Sequence, residues 1–345
     1  MRSLPVHNPA SRFERFRVEY DAEAGEPDAT LDLYDDQSQS ILSENDSPDI
    51  GFRFSVNPYR GCLHGCAYCY ARPSHEYLGF GAGSDFERKI MVKHRAAELL
   101  EQAFQKKSWE GELVVFSGNT DCYQPLEHKL ELTRACLEVC ARYRNPVHII
   151  TKGALVERDL DHLGTLVREA DAGVTVSIPF LDPEVARAME PYAPPPSRRF
   201  TTIRRLVAAG IRVNVNIAPM IPGLNDSDLI PLLEAAHDAG AESAGTVALR
   251  LPGSVAEVFE ERLRAALPLR AEKVLTRVRE MRGGKLNDAR FGERMRGSGR
   301  YIETVMELFD LTVRRLGMVR REAAPRASTF RRPVAKGGQL GLFDE

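Results

Sequence analysis

The sequence predicts a parallel α/β fold, a partial (β/α)6 TIM-like barrel, on three observations. Apolar, β-branched runs recur at residues 54–59, 113–117, 147–151, 174–178, 213–217 and 246–249. Helical patterns separate them at 96–105, 126–143, 157–168, 227–239 and 255–266. Each run also ends in polar residues, and a barrel gathers its function on the loops that follow its strands. Strands that alternate with helices pair in parallel and bury both faces. An ordinary doubly wound sheet is the alternative arrangement of the same elements.

The elements divide the chain into four parts. Residues 1–50 are an N-terminal extension. Within it, residues 21–49 hold ten acidic residues and no Lys or Arg, and this acidic lead is expected to wrap over the barrel. The barrel itself occupies 51–267. Asn225 or Asp226 is placed to cap the helix that begins near residue 227. A C-terminal helical extension, 268–317, holds helices at 270–281 and 301–316. They are split by Arg282-Gly-Gly and by Arg296-Gly-Ser-Gly-Arg300. From 318 to 345 the composition turns to Arg, Pro, Gly and Ala, which buries too little surface to order itself. A flexible basic tail is expected there.

Composition narrows the function classes. The chain has 345 residues, 43% of them hydrophobic, and a net charge of −2. That is enough apolar material for a large core, and no global field draws the chain to nucleic acid. No apolar run nears the roughly 20 residues of a membrane span. The N-terminus lacks the apolar core of a signal peptide. A cytoplasmic protein with free thiols is expected.

The densest chemical signal is Asn57-Pro-Tyr-Arg-Gly-Cys-Leu-His-Gly-Cys-Ala-Tyr-Cys-Tyr70. Cys62, Cys66 and Cys69 can turn three thiolates toward one point with no fourth cysteine nearby. Such a set leaves a tetrahedral metal, or one corner of an iron–sulfur cube, open to another ligand. Thiolates favour zinc, copper(I) or iron–sulfur clusters. For zinc, His64 or His75 is the candidate fourth ligand.

This Cys-x3-Cys-x2-Cys run resembles the signature of the radical S-adenosylmethionine (radical SAM) superfamily. The stretch from Ser47 to Tyr77 resembles the branch related to spore photoproduct lyase, and the similarity runs from about residue 8 to about residue 316. The resemblance implies a radical SAM barrel and a [4Fe–4S] cluster on Cys62, Cys66 and Cys69. It implies S-adenosylmethionine on the unique iron and an external electron donor. Reductive cleavage of that cofactor would then yield a 5′-deoxyadenosyl radical that takes hydrogen from the substrate. Damaged or modified DNA is the substrate the branch suggests; RNA, a peptide or a metabolite is the alternative, as is a non-catalytic metal protein.

The resemblance also assigns residues. Tyr68 and Tyr70 either pack around the cluster or help return a hydrogen atom, and Tyr68 stands where an aromatic meets adenine. The segment Ser117-Gly118-Asn119-Thr120-Asp121 falls where the superfamily contacts the methionine amino group. Lys152 falls where the branch places a lysine near the cofactor carboxylate or ribose. Ser177 and Asn216 are candidate ribose or carboxylate contacts, and Met220, Ile221 and Pro222 are a candidate apolar wall for adenine. Arg250 ends the sixth run. Cys122, beside Asp121 at the mouth of the second strand, is the candidate hydrogen-atom donor. Gly118 stands where the lyase has its donor cysteine, a departure from the family that argues against dimer-lyase activity of that specific type. Cys136 and Cys140 read as small buried residues. Finally, Gln339-Leu340-Gly341-Leu342-Phe343 resembles the short motif that docks bacterial repair proteins on the DNA sliding clamp. The arginines that precede it suit sequence-blind contact with DNA phosphates.

Overall fold

A computed structural model of the chain describes residues 8–13, 30–318 and 328–333. Its strands in chain order are β1 (Asp32–Asp35), β2 (Leu42–Glu44), β3 (Phe54–Val56), β4 (Tyr59–Arg60) and β5 (Lys89–Val92). They continue with β6 (Val114–Phe116), β7 (Val147–Thr151), β8 (Ala172–Ser177), β9 (Arg212–Met220) and β10 (Ser243–Ala248). The main sheet runs β10-β9-β8-β7-β6-β3-β2, and a side sheet runs β1-β5-β4. All neighbours in the main sheet are parallel except β2, which lies antiparallel along β3.

Strand order settles the architecture. The six parallel strands follow one another in chain order with no reversal. A doubly wound sheet reverses at a switch point. Here every crossover steps the same way, and right-handed crossovers then bring the helices to one face. The result is a mixed α/β fold around a singly wound parallel sheet, the arrangement of a partial barrel.

The register divides the strand residues into two rows. Val147, Ile149, Val174, Val176, Val213 and Val215 fall on one face and are almost fully buried. Burial of such β-branched side chains supplies the main stabilising term of the sheet. The other face carries His148, Thr175, Ser177, Asn214, Asn216 and Ser243. These inner side chains bond across strands. Asn214 Nδ2 donates to Thr175 Oγ1 at 3.1 Å, and Ser243 Oγ donates to Asn214 Oδ1 at 2.9 Å. His148 Nε2 lies 2.7 Å from the same Thr175 hydroxyl.

Several elements differ from the sequence expectation. The helix expected at 126–143 breaks at Glu131, whose φ of 51° is left-handed, into Glu127–Leu130 and Leu132–Arg142. Two helices between β8 and β9, Pro183–Met189 and Pro196–Ala208, were hidden by a proline-rich stretch. Both prolines sit in the first turn, where their missing N–H costs nothing. Asp182 caps the first of them by accepting from Glu184 N at 2.8 Å. Neither Asn225 nor Asp226 caps the helix Leu229–Asp238. Asn225 instead latches the preceding loop, accepting from Ile221 N at 2.7 Å and donating to Pro179 O at 2.7 Å.

The largest correction concerns the tail. Residues 328–333 are docked on the barrel rather than flexible. Phe330 packs on Phe104 and Tyr143 with ring centroids 5.8 and 6.0 Å away. Arg332 donates to the carbonyls of Phe104, Lys106 and Trp109. Met318 is also buried. The clamp-like motif at 339–343 lies outside the described residues.

His148 generates a pH prediction. Burial, then the nearby Arg212, push its pKa down from 6.5 to about 4, so the folded ring stays neutral. The unfolded chain takes up this proton as pH falls through 6.5, but the fold resists until about 4. Stability is therefore lost as pH drops across that window. Denaturant midpoints measured through it should fall less steeply for His148→Gln than for the wild type.

Candidate active site

The cysteine loop leaves β4 and is held from several sides. Gly61 has φ +87°, and a Cβ there would stand 2.8 Å from Ile90 Cδ1 and 3.0 Å from Phe86 O. Only glycine fits such a turn. Buried Gln124 grips the loop at two points. Its Oε1 accepts from Leu63 N at 2.9 Å and its Nε2 donates to Gly61 O at 3.1 Å. Cys62 N donates to Phe86 O at 3.0 Å, and Ala67 N to Met189 O at 2.9 Å. Beneath the loop lies Arg72, fully buried. Its guanidinium donates to Cys66 O, Ala82 O and Gly83 O and pairs with Glu87, which Arg262 also approaches at 3.3 Å.

This frame gathers the three cysteines, none of them in a disulfide. Cys62 and Cys66 are buried, and Cys69 packs between their two apolar clusters. Burial, then Asp121 and the other two cysteines, hold the Cys62 thiol well above its ordinary range. Burial likewise pushes Cys66 up to about 12. Three crowded thiols that resist ionisation by themselves suit a cationic centre that would bind them as thiolates. Three soft sulfur donors in one loop therefore fit an iron–sulfur cluster. Among the described residues, no three His, Cys, Asp or Glu side chains converge as a single metal ion requires. A cluster takes one thiolate per iron and needs no such convergence. His64 Nδ1 faces Asp121 at 3.3 Å, and His75 Nε2 meets Lys89 O at 2.8 Å.

The ends of the strands approach this loop. Ser117 follows β6 with φ +72°, and its Oγ accepts from Cys122 N at 2.8 Å. Gly118 makes room for the backbone. A Cβ there would meet Ser55 Cβ at 2.8 Å. Its carbonyl accepts from the Tyr70 hydroxyl at 2.7 Å. Asn57 Oδ1 takes hydrogen bonds from Asn119 N and Thr120 N, and Thr120 Oγ1 donates to Tyr59 O at 2.7 Å. Asp121 acts as a strut. It accepts from Tyr123 N, Thr151 Oγ1 and Lys152 N at 2.6–2.9 Å and faces His64. Burial opposes its charge, but His64 and these donors outweigh it and hold the carboxyl far below its usual range. Thr120 and Asp121 are thus committed within the fold and shape the loop that carries Gly118.

A buried charge cluster adjoins Cys66. Glu190, 1% exposed, accepts from the Tyr68 hydroxyl and from Arg199, and Lys152 Nζ stands 3.9 Å away. Arg199 is equally buried. It donates to Pro194 O at 2.7 Å and to Ser177 O at 2.9 Å. Lys152 lies over the Tyr68 ring, 5.7 Å from its centroid. Burial works against the Glu190 charge, and Arg199 and Lys152 overcome it, so the carboxyl sits below its ordinary value. Tyr68 therefore has its hydroxyl locked inward, while the Tyr70 ring remains 48% exposed.

Of the residues expected from sequence, the fold brings Cys66, Tyr68 and Lys152 together and sets Tyr70 over Gly118. Ser177 and Asn216 are register partners on the inner face. Met220 and Ile221 are core. Cys122 is a correction. It is fully buried in the main core, as are Cys136 and Cys140, which removes the access a hydrogen-atom donor needs. Asp121 and Cys122 are neighbours in sequence, yet one enters the strut and the other the core. Glu190, Arg199, Arg72 and Gln124 were missed. A charged or amide residue carries no sequence mark of burial, and the partners of Glu190 lie as far as 122 residues away.

The Radical SAM superfamily profile matches residues 56–236, more than half of the chain. The chain belongs to the radical SAM superfamily and is an enzyme of radical chemistry. Within that class its fold is similar to that of spore photoproduct lyase. The complex of that lyase with dinucleoside spore photoproduct superposes with a TM-score of 0.55 at 17% identity, covering 82% of this chain and 78% of the lyase. A double mutant with bound AdoMet and the same dinucleoside gives 0.57 at 17%, over 86% and 84%. Identity this low speaks for the fold alone. In sequence, an uncharacterised protein of Mycobacterium tuberculosis is 37% identical over 234 residues, 67% of this chain and 68% of that one. One from Methanocaldococcus jannaschii is 29% identical over 180 residues, 52% and 65%. Among the described residues, no helix is long and apolar enough to cross a membrane.

Proposed function

We propose that this chain is a cytoplasmic radical SAM enzyme that acts on damaged or modified DNA. The observation that carries the reading is the loop of three free thiols, two of them buried, with Lys152 beside Cys66. Cys62, Cys66 and Cys69 would hold a [4Fe–4S] cluster, and S-adenosylmethionine would take the iron they leave open. When bound, this pair supplies one-electron cleavage of the sulfonium to methionine and a 5′-deoxyadenosyl radical, which abstracts hydrogen.

The chain's own residues supply position and enclosure. Arg72 and Gln124 fix the loop backbone, so the thiols need little reorganisation. The Lys152 ammonium, aimed by Asp121 through its own amide, offers charge to a carboxylate or ribose of the cofactor. Ser177 and Asn216 add polar contacts on the inner row. Burial around Cys62 and Cys66 keeps water from the reacting centre. The DNA assignment is supported by the shared fold with a lyase whose complexes hold a dinucleoside lesion.

Anaerobic reconstitution tests this function. Wild-type protein should take up about four irons per chain and release 5′-deoxyadenosine under strong reductant. Cys66→Ala should lose both to background, a drop of about 100-fold or more in cofactor cleavage. Wild type that takes up no cluster would contradict the proposal. Turnover of RNA, a peptide or a metabolite in place of damaged duplex would move the substrate and leave the chemistry.

We also propose that Gln339, Leu340, Leu342 and Phe343 dock on the DNA sliding clamp. An extended peptide with paired apolar anchors suits a groove on a partner. Pull-down with purified clamp should capture the wild type and lose the Leu342→Ala/Phe343→Ala variant. Equal capture of both would remove the motif from the account.

A further inference from the structure

Arg250 follows β10 and closes the row of strand-end residues. It is flanked by Leu249 and Leu251, both almost fully buried. Its guanidinium carbon stands 5.9 Å from the centroid of the Tyr70 ring. Among the described residues its one hydrogen bond runs from Nη1 to Met295 Sδ at 3.4 Å, and a thioether is a weak acceptor.

Among the described residues, no carboxylate pairs with this cation. The acidic group that attracts it, Asp49, is taken by Arg294 Nε at 2.5 Å and by Gly292 N at 2.8 Å. Burial, then Arg294, pull the Arg250 pKa below the ordinary arginine value. Arg282, at the same end of the barrel, is not comparable. Its guanidinium is bound to the carbonyls of Leu249, Glu293 and Arg294. Arg250 alone of the two presents an unused donor fork, and a desolvated cation favours an anion that completes it.

Tyr70 supplies the other half. Its hydroxyl is anchored on Gly118 O, which fixes the ring, and the ring is 48% exposed. A guanidinium over a half-exposed aromatic ring matches one nucleotide unit. The planar fork binds phosphate in bidentate fashion, and the ring stacks a base.

We propose that Arg250 and Tyr70 form a subsite at the barrel mouth for one phosphodiester and an adjoining base of the DNA strand. This rests on the nucleic-acid reading above. The site binds an internal phosphate by charge and geometry, so it is blind to base identity.

Binding of two probes to anaerobically reconstituted protein tests it: a thymine dinucleotide with its natural phosphodiester, and the same dinucleotide with a neutral methylphosphonate link. Wild type should prefer the charged probe by about 10-fold. Arg250→Gln should erase that preference, and Arg250→Lys, a point charge without the fork, should keep part of it. Equal binding of the two probes by the wild type, or an unchanged preference in Arg250→Gln, overturns the subsite and leaves the DNA reading standing. Wild type that binds neither probe overturns both.

Discussion

The buried Glu190 carboxylate is the interaction on which the rest of the site depends. It joins pieces of chain that sequence keeps far apart. Through Tyr68 it holds the cysteine loop, and through Arg199 it holds the end of β8 at the Ser177 carbonyl. Lys152, at the end of β7, lies at ion-pair distance. A buried carboxylate is costly alone and tolerable only when its lone pairs are filled. Glu190 has a hydroxyl, a guanidinium and an ammonium around it. The cluster therefore sets one geometry for the loop, and any ligand above Cys66 meets preset charge.

Around this centre the fold follows a division of labour between two rows of the sheet. The β-branched row turns outward and is buried. The inner row is polar and bonded across strands, so the sheet keeps a polar face that apolar packing would have closed. Because six strands of the sheet are parallel, their C-terminal ends share one rim. The cysteine loop, Gly118, Lys152, Ser177 and Arg250 lie on that rim, and Asn216, inside β9, pairs in register with Ser177. Arg72 and Gln124 tie the loop from beneath, as neutral and charged clamps on its carbonyls and amides.

Much of this was legible in the sequence, for a physical reason. Val and Ile rows at period two mark strands, and the polar residue that ends each row lands on the rim by topology alone. Lys152 was placed at a strand end this way, and Cys62, Cys66 and Cys69 were marked by their spacing; the family resemblance implies their roles. What escaped is what pairing over distance decides. Arg199 and Glu190 look like ordinary surface residues in a proline-rich stretch until Tyr68 and Ser177 close over them. The prolines that hid two helices sit in first turns, where they favour helix. Cys122 misled because adjacency to Asp121 says nothing about which side of the chain faces the opening. The docked segment at 328–333 shows how one aromatic, Phe330, can seat a stretch whose composition reads as unstructured.

The claim that Glu190 and Arg199 act as one buried unit is tested most directly by a double-mutant cycle on unfolding free energy. Arg199→Met alone should cost about 3–5 kcal/mol, because it strands a buried charge. Arg199→Met combined with Glu190→Gln should cost clearly less than the sum of the two single changes. Strictly additive costs would contradict the account and reduce the cluster to independent contacts.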